Sequence, residues 1–194
     1  MCSSDLNDDS VAAVGEMKAE MDKLMHSVGV TLHWKDPHKD TGANQQELVV
    51  LELRGVCDAP HASPGGPRLR NQTSLASSAV SDGQILPFSW VDCAALSRFI
   101  GRSVADLPAP QRDFAYGRAL ARLAAHEFYH VLSRRSEHTQ TGIAKAQFAE
   151  ADLLSDHLDF EETLVTKDVI AKDRRTSNVE QIAPGVEIDL GNEK

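Results

Sequence analysis

Hydrophobic positions along the first quarter of the chain follow a helical period. Val11, Val14, Met17, Met21, Leu24, Met25 and Val28 recur at spacings of three and four, which predicts an amphipathic helix over 11–28 whose single apolar stripe packs on a sheet. The period then changes to two. "GVTLHW" (29–34) predicts a first strand and "ELVVLELRGV" (47–56) a second, with Val49, Leu51 and Leu53 on its buried face. Residues 58–84 are dominated by Pro, Gly, Ser and Asn, which predicts a long loop with room for one short strand near 74–80. "QILPFSWV" (84–91) predicts a third strand, and Pro87, which has no amide hydrogen for a ladder, favours the sheet edge for it.

The second half is helical. A short helix is expected over 94–101, and Pro110 suits the first turn of the next one. Leu120, Ala124, Phe128 and Val131, flanked by Ala121, Ala125 and Leu132, predict a long central helix over about 111–134. Phe148, Ala151, Leu154 and Leu158 predict another over 147–163. Residues 1–10 read as a flexible N-terminus and 164–194 as a polar, mobile tail with a weak strand signal in "GVEIDL". The fold class is therefore α+β, with one domain over 11–163 in which a small twisted mixed sheet is backed by the N-terminal helix. No internal repeat is visible.

Composition narrows the function classes. A chain of 194 residues can bury one sizeable core, about 70% of its unfolded surface, without disulfides. With a net charge of −9 and no dense Lys/Arg cluster it is not expected to bind nucleic acid, and no apolar run reaches the roughly 20 residues of a transmembrane segment. Of the three cysteines, Cys2, Cys57 and Cys93, none forms a CxxC pair, which argues against a thiolate zinc ribbon or a thioredoxin-type centre. Cys57 and Cys93 each follow a predicted strand; they either pair as a disulfide or remain buried thiols. "MCSSDLNDDS" has neither the basic start nor the apolar stretch of a signal peptide, so the cytoplasm is expected at face value. A trimmed chain would change that, since "CSSD" after Met1 suits the start of a processed, exported lipoprotein, and the sequon at Asn71 matters only in a eukaryotic secretory protein.

The chemistry is concentrated in "HEFYH", residues 126–130. Residues i and i+4 on a helix differ by about 40° around the axis, so His126 and His130 can present two imidazoles to one zinc ion. Glu127 lies slightly aside, where it can deprotonate a water at the metal and later protonate a leaving group.

On these residues the chain resembles the zincin metallopeptidases, whose HExxH hallmark is matched by His126, Glu127 and His130. The resemblance implies a zincin-like fold, with a long HExxH active-site helix beneath a twisted, largely parallel sheet and an antiparallel edge strand along the substrate cleft. It also implies a zinc-dependent metalloendopeptidase acting on a peptide or protein substrate. The edge-type Pro87 and the position of "QILPFSWV" just before the motif helix predict that the substrate lies extended along that strand. The chain is neither a clear metzincin nor a clear gluzincin. Ser133 and Ser136 stand where the metzincin HExxHxxGxxH pattern has its glycine and third histidine, and no methionine follows Met25. The stretch from His126 to Phe148 is similar to small bacterial zinc proteases in which a histidine and a Gly-Ile-Ala-Lys-like segment follow HExxH. That favours His138 as the third metal ligand. Glu150 is the gluzincin-like alternative, though Leu154 stands where that family often has an aspartate; Glu137, Asp152 and His157 are further candidates. Tyr129 and Lys145 read as a packing and a surface residue, and His26, His33, His38 and His61 carry no assigned role. Two other functions fit the same motif: a non-catalytic metal-binding or interaction module, and a zinc hydrolase of a small amide or ester.

Overall fold

The computed structural model describes residues 8–35, 47–61, 74–161 and 185–191. Cys2, His38, the Asn71 sequon and most of 164–194 lie outside them. The elements in chain order are α1 (Asp8–Ser27), β1 (Thr31–Lys35), β2 (Glu47–Arg54), β3 (Ala76–Ser81), β4 (Gln84–Asp92), α2 (Cys93–Val104), α3 (Ala109–Ser133), α4 (Glu150–Leu154) and β5 (Gly185–Gly191). The fold is α+β with a mixed sheet in the order β1-β5-β2-β4-β3. Neighbours in this sheet run parallel except β3, which pairs antiparallel with β4.

The sheet edge differs from the expectation. β4 is flanked by β2 and β3, so the edge near the long helix is β3 and not the proline-containing strand. Pro87 is accommodated in two ways. The parallel pairing with β2 begins only at Phe88, and on the other side the register jumps from Ser78↔Ser89 to Val80↔Ile85, leaving Pro87 in a bulge where no ladder donor is required. The β3–β4 turn carries positive φ at Asp82 (51°) and Gly83 (74°), as a tight hairpin requires. β5 is a second departure. The weak "GVEIDL" signal becomes a strand inserted between β1 and β2, so this part of the expected tail belongs to the sheet. Parallel strands far apart in sequence leave no local turn signature to read.

α1 buries Ala13, Met17, Met21, Leu24 and Met25 much as its stripe predicts, but Val11 is 55% exposed. Its main partner is α3 rather than the sheet. The two helices meet at Gly117, where an added Cβ would lie 2.5 Å from Glu16 Cβ and 2.6 Å from the Ala13 carbonyl oxygen. Backbone cannot yield as a flexible side-chain end can. Although alanine is the better helix former by about 1 kcal/mol, Gly117→Ala is expected to destabilise the protein by about 2 kcal/mol through overpacking. In thermal unfolding this would read as a Tm drop of roughly 4–8 °C.

α3 is buried on nearly all sides from Ala119 to Leu132, as a central helix should be. Arg122, one turn before His126, is 1% exposed, and its Nη1 donates to the carbonyls of Asp152 (2.7 Å) and Leu153 (3.0 Å). Arg118 Nη1 likewise donates to the Ser155 carbonyl at 2.6 Å. These guanidinium groups satisfy the C-terminal carbonyls of α4 and end it at Leu154, which is why the helix expected over 147–163 shortens to Glu150–Leu154. Phe148 lies outside the helix, with its ring edge-on to His126 on α3 (centroids 5.5 Å).

Cys57, just beyond β2, and Cys93, the first residue of α2 after β4, form a disulfide with Cα atoms 4.9 Å apart. β2 and β4 are parallel neighbours ending together at Arg54↔Asp92, so the chain leaves both strands at the same end of the sheet. Among the described residues, no helix is long and apolar enough to cross a membrane.

Candidate metal centre

His126 and His130 stand one turn apart on α3, both largely buried. Each ring is held by a backbone carbonyl. His126 Nδ1 donates to the Ile143 oxygen at 2.8 Å and His130 Nδ1 to the Arg135 oxygen at 2.7 Å. A carbonyl only accepts, so each neutral ring carries its hydrogen on Nδ1 and a lone pair on Nε2. The two Nε2 atoms face each other at 3.1 Å. Two lone pairs cannot hydrogen-bond to one another, and a cation between them resolves the conflict. Nitrogen ligands at ~2.05 Å with a tetrahedral angle would sit about 3.3 Å apart, close to the observed separation.

His138 completes the group. One ligand atom from each of His126, His130 and His138 lies within 4.8 Å of the others. The His138 ring stacks on His126 (centroids 5.2 Å, 15°) and stands edge-on to His130 (4.8 Å, 84°). The chain returns because α3 ends on Arg134 in the left-handed region (φ 54°), which reverses the backbone and brings the Arg135 carbonyl over His130. A second turn, 139–145, presents the Ile143 carbonyl to His126. It is closed by Thr139 N donating to the Ala144 oxygen (2.9 Å) and anchored by Ile143 N donating to the Asp159 oxygen (3.1 Å). Gly142 has φ +72°, and a Cβ there would meet the Asp159 oxygen at 2.5 Å, so both conformation and space call for glycine. The Gly-Ile-Ala-Lys stretch thus has a physical role, which is to orient the first histidine.

Burial governs the electrostatics. It lowers His126 to about 4, against the Ile143 carbonyl, which favours the protonated ring; His130 and His138 lower it further. Burial lowers His130 as well, against the Arg135 carbonyl. Both rings are therefore neutral, the form a metal requires. Burial pushes the Glu127 carboxyl up to about 7, partly offset by a hydrogen bond from Ser78. Glu127 Oε2 accepts from Ser78 Oγ at 2.8 Å, on the facing edge strand β3.

Glu150 is not part of the group. Its carboxylate accepts from Ser103 Oγ of α2 at 2.5 Å. Asp152 is engaged by Lys145 Nζ at 2.6 Å and by the Ala149 amide, and the ligand atoms that converge are those of His126, His130 and His138, without Glu137 or His157. Tyr129 is buried, and Lys145 lies 5.6 Å from the centre of the Phe148 ring. His61 Nδ1 is 2.9 Å from Arg112 Nη2, away from the histidine group. Three partners of the site escape a reading of the sequence: Ser78, the Ile143 carbonyl and the Arg135 carbonyl. Backbone carbonyls leave no sequence signal. Ser78 has a weak one, as a polar residue between Ala76 and Val80 on alternate positions of a short strand.

The three histidines and Glu127 open into a cleft of about 560 Å³ between β3 and the loop after α3, with Val80, Ile85, Phe99, Leu123 and Phe148 on its walls. The cleft thus brings together three imidazoles that could hold a metal ion and one buried carboxylate beside them. No protein-family model, curated protein or solved structure matches this chain.

Proposed function

We propose that the chain is a zinc-dependent metalloendopeptidase of the zincin type, with His126, His130 and His138 holding the ion. The observation that carries this reading is the pair of Nε2 lone pairs converging at 3.1 Å on an HExxH helix. Three imidazoles are a donor set suited to zinc. A parallel sheet with one antiparallel edge strand beside the motif helix also matches what the zincin resemblance implies.

When bound, zinc at such a site lowers the pKa of water toward ~7 and polarises a carbonyl. The protein groups do the rest. Glu127 takes a proton from the attacking water on Oε1, the oxygen not engaged by Ser78, and passes it to the leaving amine. The Ile143 and Arg135 carbonyls keep both Nε2 atoms aimed inward. The substrate peptide pairs along the edge of β3 that has no strand partner among the described residues and whose residues line the cleft, held there by main-chain hydrogen bonds as in strand addition. Glu127 favours an enzyme over a purely metal-binding module, because it is buried beside the ligands without being needed to hold the ion.

The test is to incubate the zinc-loaded chain with an unfolded protein substrate and count newly formed amino termini. Cleavage that a chelator stops and added zinc restores is the expected result. Bound zinc without cleavage would leave the metal-binding module, and turnover confined to small amides or esters would leave the other hydrolase.

A further inference from the structure

The inward face of β4 is apolar at Val91 and should be so throughout, yet it carries Ser89 at 0% exposure. A buried hydroxyl is costly unless it is bonded. Ser89 Oγ lies 2.9 Å from Ser78 Oγ, its direct cross-strand partner in the β3–β4 register. Ser78 Oγ is in turn 2.8 Å from Glu127 Oε2 and 3.3 Å from the Glu127 carbonyl oxygen.

Counting hydrogens fixes the direction of this chain. Ser78 has one hydroxyl hydrogen, and the carboxylate is the strongest acceptor within reach. With that hydrogen committed to Glu127, the contact between the serines is made by the Ser89 hydroxyl donating to Ser78 Oγ. The order is Ser89 to Ser78 to Glu127 Oε2. We propose that Ser78 is a positioning residue for Glu127, and that Ser89 sets the direction in which the Ser78 hydroxyl points. The proposal rests on the peptidase reading for its catalytic consequence. A glutamate has three rotatable bonds, and pinning Oε2 from the facing strand leaves Oε1 presented to the cleft. The place of Ser78 suits this role, since it is the last paired residue of β3 before the bulge at Pro87. The same strand would carry the substrate edge, so peptide and carboxylate would share one rigid reference.

Two measurements on the zinc-loaded full chain test this. The first is kcat and KM on a peptide substrate for Ser78→Ala, Ser78→Thr and Ser89→Ala. Misplacement of a catalytic group costs up to about 100-fold, so Ser78→Ala is expected to lower kcat roughly 10- to 100-fold with KM and zinc content unchanged. Ser78→Thr should restore most of the loss, and Ser89→Ala should fall between. Unchanged kcat in Ser78→Ala, or a Thr variant as impaired as the Ala variant, would overturn the proposal. The second reads the carboxylate without turnover: the side-chain carboxyl carbon resonance of Glu127, assigned by its loss in Glu127→Gln. It should move in Ser78→Ala and return in Ser78→Thr. A resonance that ignores Ser78 overturns the positioning link whether or not the wild type cleaves peptides. A resonance that responds in a wild type without peptidase activity sustains the link and sinks the peptidase reading alone.

Discussion

Replacing Glu127 by glutamine is expected to lower peptide turnover by about 10²- to 10⁴-fold, the contribution of a positioned general acid-base, while leaving zinc content unchanged. The substitution keeps the shape of the side chain and an oxygen that can accept from Ser78, which donates to Oε2 at 2.8 Å in the native protein. It removes only the capacity to take and return a proton. Side-by-side kcat and zinc measurements check this. Full activity in the glutamine variant would remove Glu127 from the chemistry.

The second large effect is on the metal. Zinc binding to four-ligand structural sites is worth about 10–16 kcal/mol, so one ligand's share is roughly 2.5–4 kcal/mol, or about two to three orders of magnitude in affinity. His130→Ala is expected to raise the zinc Kd by about that factor, measured by competition with a chromogenic chelator. The fold should survive, because a buried neutral ring is lost without stranding a charge. The Arg135 carbonyl that it bonds is in an exposed turn where water can replace the ring. A Kd unchanged by this substitution would remove His130 from the ligand set.

How much of this is legible in the sequence follows how local the determining physics is. The α3 stripe, the α1 stripe and the His126/His130 pair are legible because helical spacing alone brings those residues onto common faces. The third position is less so. His138 reaches the cluster only because Arg134 adopts a left-handed conformation that residue preference assigns to glycine. Pro87 is indeed unable to serve a ladder, but a bulge solves that problem as well as an edge does, and pattern alone does not choose between them. β5 gives only a weak signal because its partners, β1 and β2, lie more than a hundred residues earlier. α4 is shorter than its periodicity suggests because Arg118 and Arg122, on another helix, cap its carbonyls and end it early.

Ser78 and Ser89 show the same limit at the site. Each is an ordinary serine in a serine-rich region or a strand, and only the cross-strand register joins them to Glu127. The Ile143 and Arg135 carbonyls carry no side-chain identity, although they decide which nitrogen of each histidine faces inward. The sequence therefore announces the ligands of such a centre more readily than the groups that aim them.

Elemental analysis of the purified chain alongside His138→Ala and Glu150→Ala decides whether His126, His130 and His138 build a zinc site. About one zinc per chain is expected in the wild type, retained in Glu150→Ala, whose carboxylate is held by Ser103, and largely lost in His138→Ala. A wild type that takes up no zinc on reconstitution, or zinc lost with Glu150 and kept without His138, would contradict it.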